Sequence, residues 1–164
     1  MSMTDLIPSI IVLGLAAFAA MVLVQKRQSP PERITERRAA AKVLALTVVV
    51  QSIHFAEEAA TGFPERLAAL FNLPSMSFTF FVVFNLAWIG VWLASIPGLN
   101  ASKKFAFFAA WFLAIAGMIN GLAHPLLAVA SGGYFPGLAS SPIIGVVSVY
   151  LWRRLRKATF PARR

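Results

Sequence analysis

The chain has 164 residues, 59% of them hydrophobic and only 13% charged, with a net charge of +9 and no cysteine. A soluble domain carries about a quarter charged residues, so this composition excludes an ordinary soluble enzyme, and the missing cysteines exclude disulfides and thiolate metal sites. What remains is an all-α, polytopic membrane bundle forming a single domain over residues 1–164.

Taken in order, the first apolar run covers about residues 6–24, long enough to cross a hydrocarbon core at about 1.5 Å per residue. A cleaved signal peptide has its positive charges ahead of the apolar run. Here Asp5 precedes it and Lys26 and Arg27 follow, which predicts a retained span with its N-terminus outside. Ser29-Pro30-Pro31-Glu32 then reads as a helix start, with serine as the cap and proline in the first turn. The second span is predicted over about 40–61 and is stopped by Gly62-Phe63-Pro64. Glu65 to Leu73 is too short to span and is expected to lie at the surface.

The third span is predicted over about 77–95, with Phe78, Phe80, Phe81, Phe84, Trp88 and Trp92 as packing or lipid-facing residues. Asn85 sits near its middle, and Pro97-Gly98 is expected to end it. Lys103-Lys104 open the fourth span, over about 104–127, which holds Asn120 and His124. Ser131 to Gly137 is rich in turn residues, and the fifth span, about 138–152, closes on Arg153-Arg154-Leu155-Arg156-Lys157.

The cations set the orientation. Six lie between Lys26 and Lys42, one is Arg66, two are Lys103 and Lys104, and six lie from Arg153 onward. With the C-terminus and the loops after the first and third spans in the cytoplasm, 14 of the 15 are inside, as the positive-inside rule requires. The expected protein has five spans, N-terminus outside and C-terminus inside, in a cell inner or plasma membrane. This placement gives the basic charge an ordinary role against anionic headgroups, and no nucleic-acid partner is expected.

One stretch breaks the apolar pattern. His54, Glu57 and Glu58 fall in the outer half of the second span. An ionisable side chain within a bilayer costs on the order of 3 kcal/mol or more, so such residues are rare and usually functional. Asn120 and His124 share a face of the fourth span, and the topology brings them to the same depth. At about 100° per residue, Glu58 lies about 40° from His54 and Glu57 about 60° the other way, with Gln51 close to Glu58. Ser52 faces elsewhere and is expected to be a packing hydroxyl.

His54-Phe55-Ala56-Glu57-Glu58 resembles the motif that gives the HXXEE membrane protein family its name. Asn120, four residues before His124, and Tyr134-Phe135-Pro136-Gly137 are similar to later pieces of that family, so the resemblance runs from the second span to the fifth. It implies which residues matter and brings no settled reaction.

Several readings follow from these residues. Two imidazoles and a carboxylate can hold zinc with an open position, or iron in a facial arrangement; His54, Glu58 and His124 are the expected ligands. Glu57 and Asn120 are then the candidate catalytic residues, completing the sphere or, for Glu57, acting as general base. Gln51, Asn85 and Tyr134 are candidates for the substrate pocket, although Asn85 also reads as an interhelical amide and Tyr134 as an interfacial anchor. A metal-dependent enzyme acting on a lipid-soluble substrate is the leading expectation, hydrolytic with zinc and oxidative with iron. The alternatives are metal-free acid–base isomerisation of a sterol- or isoprenoid-like lipid, proton, cation or small-ligand transport requiring a homodimer, and a polar knot that only ties helices together.

Overall fold

The computed structural model describes residues 7–161. Six α-helices follow one another: α1 (Ile7–Lys26), α2 (Ile34–Ala60), α3 (Phe63–Phe71), α4 (Phe78–Asn100), α5 (Lys104–Ala130) and α6 (Ser141–Ala158). A 3-10 turn at Pro31–Arg33 leads into α2, and two short strands, β1 (Arg27–Gln28) and β2 (Phe160–Pro161), pair antiparallel.

Three helical stretches are long and apolar enough to cross a membrane: Pro31–Ala60, Phe78–Asn100 and Lys104–Ala130. The Ile11–Lys26 part of α1 is apolar but shorter, and α6 carries Arg153, Arg154, Arg156 and Lys157 within its last turns. Burial is arranged inside out. Leu46, Val49, Ile53, Val83, Leu86, Leu122, Leu126 and Val146 are exposed, while Thr47, Gln51, His54, Glu58, His124, Ser141 and Ser148 are buried. A soluble protein would expose the polar set; this pattern suits a hydrocarbon surround.

The predicted boundaries shift in ways the backbone explains. α4 runs past Pro97 to Asn100, and α5 runs past Pro125 to Ala130. A proline inside a helix removes one backbone bond, and membrane helices tolerate this because neighbouring elements satisfy the freed group. Ser29 does not cap a helix: its hydroxyl donates to the Ala158 carbonyl at 2.7 Å, and Pro30 occupies the cap of the 3-10 turn. α2 begins at Ile34, and the last helix begins at Ser141 and contains the basic cluster that was expected to follow it. Gly62, with φ of 74°, does end α2 as its sequence predicts.

α6 is the helix on which the site depends, because it packs along both α5 and α2. The α5–α6 contact is made of small residues. A Cβ placed on Gly121 would lie 2.7 Å from the Gly145 Cα, so the two backbones touch. One turn further in, Gly117 packs on Ser148 and Ile144. Such small-residue seams are a common way for membrane helices to approach closely. α4 closes the other side through Trp88 and Trp92 against Phe112, and the Trp92 indole donates to the Ala109 carbonyl at 3.1 Å.

The basic end is tied by hydrogen bonds. Arg37, buried, donates to the Pro30 carbonyl at 2.7 Å and to the Asn100 carbonyl at 3.3 Å. Arg27 binds the Thr159 hydroxyl and carbonyl, each at 2.7 Å. A cavity of about 160 Å3 lies here, among Leu23, Arg27, Ser102, Phe107 and Thr159. It sits some twenty residues of α5 away from His124, roughly 30 Å by helix rise.

Candidate metal centre

Helix spacing delivers the first two candidate ligands. Thr47, Gln51, His54 and Glu58 are separated by four, three and four residues, lie on one face of α2, and are all buried. His124 comes from α5, one turn beyond Gly121, where the glycine seam holds that helix against α6. The two helices meet over the N-terminus of α6. There the histidine rings stand edge to face with centroids 4.7 Å apart.

Glu58 lies between them. Its Oε1 is 3.3 Å from His124 Nε2 and 3.6 Å from His54 Nε2. His54 is fully buried, and His124 and Glu58 are 2% and 6% exposed. One donor atom from each of the three residues falls within 4.8 Å of the others. Ligands bound tetrahedrally at about 2.0–2.1 Å stand roughly 3.3–3.4 Å apart, so both carboxylate–imidazole spacings suit a shared cation. The direct contacts suit the bare protein less well. Among the described residues His54 Nε2 has no hydrogen-bond partner, and a buried polar atom left unpaired is costly.

The other ring nitrogens show which way the lone pairs point. His124 Nδ1 is 2.6 Å from the Pro136 carbonyl, which can only accept, so this nitrogen carries the proton. His54 Nδ1 is 2.8 Å from the Ser140 hydroxyl. That hydroxyl donates to Glu57 Oε2 at 2.5 Å, so its oxygen is left to accept from His54. In its neutral form, each ring so held turns the lone pair of its Nε2 toward Glu58. Ligating histidines are held in this way, with the far N–H given to a carbonyl or to a hydrogen-bonded chain.

Glu57 faces the start of α6. Expected as a catalytic base, it accepts four hydrogen bonds: from Tyr134 Oη at 2.6 Å, from the Ala139 and Ser140 backbone N–H groups at 2.9 Å each, and from the Ser140 hydroxyl. It sits as an anion at the N-terminus of α6, where the helix dipole favours it. With its lone pairs engaged, it is poorly placed to take a proton from substrate. Tyr134 is likewise a fastening, 47% exposed, rather than a pocket wall. Burial, and then its bond to Glu57, push the Tyr134 phenol above its ordinary value.

Asn85 gives its amide to the Phe81 carbonyl of its own helix at 2.9 Å, a bond within α4 rather than between helices. Asn120 is half-buried one turn inward of His124. Gln51 is buried one turn inward of His54 on the ligand face. Ser52 bonds the Val48 carbonyl of its own helix, as expected of a packing hydroxyl.

Two contributors were not singled out from the sequence, Ser140 and Phe63, and Gly137 was named there only as part of the family-like Tyr134 to Gly137 stretch. Gly137 has φ of 84°, and a Cβ there would lie 2.6 Å from His124 Cε1 and 2.9 Å from His54 Cε1, so only glycine fits. Phe63 packs 5.6 Å from the His124 ring and 6.0 Å from Phe135. Ser140 had a usable signal. Ser140-Ser141-Pro142 puts serine at the cap position and proline in the first turn, and the helix starts at Ser141, three residues later than the predicted 138.

Comparison of the chain with protein-family models, with curated proteins and with solved structures returns no match.

Proposed function

We propose that this chain is a five-span protein of the inner or plasma membrane, of the HXXEE type, that binds a divalent metal ion through His54, Glu58 and His124. We further propose that it uses this site as an enzyme on a lipid-soluble substrate. The observation that carries the reading is the convergence of the two Nε2 atoms on one buried carboxylate, with each ring's Nδ1 engaged on its far side. Three protein donors rather than four favour catalysis, since structural zinc sites are closed by four protein ligands and catalytic ones keep a position open. A divalent cation held there would polarise a carbonyl or lower the pKa of water; zinc would suit hydrolysis of a lipid ester or amide, and iron an oxidation. Around it the chain supplies aromatic walls. Phe63 and Phe135 flank His124, and Phe81 stacks on Phe63, an environment suited to an apolar substrate.

The topology part of the proposal rests on the cation distribution together with the three apolar helices. α1 and the apolar part of α6 supply the other two spans.

One distance favours a second reading. His124 Nε2 and Glu58 Oε1, at 3.3 Å, are close enough to share a proton, which is what metal-free acid–base chemistry on a sterol- or isoprenoid-like lipid needs. Elemental analysis of the detergent-purified protein beside a His54→Ala, His124→Ala variant decides between them. Near-stoichiometric zinc or iron, absent from the variant, is the expected result. Metal in neither protein after attempted reconstitution overturns the metal reading and leaves the acid–base one.

A further inference from the structure

We infer that Glu57 and Ser140 are positioning residues for the metal centre, so that the adjacent acids of the motif divide the work: Glu58 ligates, and Glu57 orients His54 through Ser140. The inference rests on the metal reading proposed above and adds two residues and a direction of hydrogen bonding to it.

The chain of bonds has one self-consistent polarity. Glu57 Oε1 takes the Tyr134 hydroxyl and the Ala139 N–H, and Oε2 takes the Ser140 N–H and hydroxyl. An ionised carboxylate accepts only, so the single Ser140 hydroxyl proton is committed to Glu57. The Ser140 oxygen must then accept, and the group facing it is His54 Nδ1 at 2.8 Å. The neutral His54 ring is thereby held with its one proton on Nδ1 and its Nε2 lone pair toward Glu58. Without that acceptor the ring could exchange tautomers and turn an N–H toward the ligand site.

The arrangement does more than cap α6. Capping requires only the two backbone bonds from Ala139 and Ser140, which any residue at 140 except proline would preserve. The hydroxyl adds nothing to those bonds; its other contact is His54. The role also accounts for two carboxylates lying side by side. Residues 57 and 58 differ by about 100° around the helix, enough for one to face the histidines and the other the start of α6.

The test uses full-length protein labelled with 15N at histidine, in detergent micelles and free of metal. The chain has only two histidines, and a His54→Gln control assigns the rings. The variants are Ser140→Ala, which keeps both backbone bonds to Glu57, Ser140→Thr, which keeps the hydroxyl, and Glu57→Gln, which places an amide against Ser140. Zinc affinity is measured alongside, by competition with a chromogenic chelator. In the wild type, His54 should show the Nδ1-protonated form. Ser140→Ala should mix the tautomers and weaken zinc binding by about 10- to 100-fold, the usual effect of losing a partner behind a ligand. Ser140→Thr should restore both, and Glu57→Gln should loosen the same ring. An unchanged His54 spectrum in Ser140→Ala overturns the inference, as does loss of the metal-free fold in that variant, which would make the hydroxyl structural. If the wild type binds no zinc, the metal reading fails, and the nitrogen spectra still decide whether Ser140 holds His54.

Discussion

His54 of α2 and His124 of α5 meet edge to face, with ring centroids 4.7 Å apart, although their helices touch little elsewhere. Their meeting depends on α6, along which both helices pack. The site is therefore coupled to the seam that places α6, and metal binding should stabilise the whole bundle.

A ligand that binds only the folded state adds about 2.7 kcal/mol at a hundred times its dissociation constant. Adding zinc or iron at that ratio to chelator-stripped protein should raise its thermal midpoint by several degrees. The same addition to Glu58→Gln should raise it much less, since the carboxylate that neutralises the cation is gone. Equal shifts in the two proteins would mean that the metal binds elsewhere.

Gly121→Val tests the seam. The added side chain would drive its Cβ to 2.7 Å from the Gly145 Cα, where backbone rather than a flexible side chain must give way. Overpacking of this kind typically costs about 1–3 kcal/mol. The separation of α5 from α6 should also displace His124 and weaken metal binding. Gly90→Val is the control, because a Cβ there meets nothing within 4 Å. Denaturation in a mixed-detergent titration should show Gly121→Val unfolding well before Gly90→Val.

The apolar helices and the grouping of His54, Glu58 and His124 were legible in the sequence because both rest on cost. Apolar runs are needed to cross lipid, and an ionisable residue inside one must be turned toward another. Depth alone brought His54, Glu58 and His124 together, and the structure groups these three. For Glu57, helix angle shows that it faces away from Glu58 but not what it faces. Its partners lie at the start of α6, and nothing local to Glu57 encodes Ala139, Ser140 or Tyr134. The end of α4 was placed too early because Pro97-Gly98 read as a stop, whereas the packed helix carries on through it to Asn100.

Gly137→Ala should disable the site for a reason that can be separated from backbone strain. Left-handed backbone costs a non-glycine residue about 1–2 kcal/mol, and both Gly137 (φ 84°) and Gly132 (φ 73°) adopt it. Only at Gly137 would the new methyl group strike the imidazoles; at Gly132 it meets nothing within 4 Å. The two alanine variants should therefore lose similar backbone stability, while Gly137→Ala alone loses metal, as read by elemental analysis. Equal metal content in both would show that the loop does not hold the rings.

The bond between Tyr134 and Glu57 sets a dependence on alkaline pH. The phenol is pushed above its ordinary value in the folded protein, by burial and by the carboxylate to which it donates. The folded state thus holds this proton more tightly than the unfolded chain. Its contribution is fully present below the unfolded value, about 10, and is lost as pH rises through the higher folded value. At that point a phenolate would face the Glu57 carboxylate across what is now a 2.6 Å hydrogen bond. Tyr134→Phe lacks this proton at every pH. Wild type should be the more stable of the two at pH 8, and its advantage in thermal midpoint should shrink once the pH exceeds 10. The residue is half exposed, so the advantage is expected to be small, and its decline with pH is the quantity to measure. A difference that stays constant from pH 8 to pH 12 would show that the phenol proton is not what fastens the loop to Glu57.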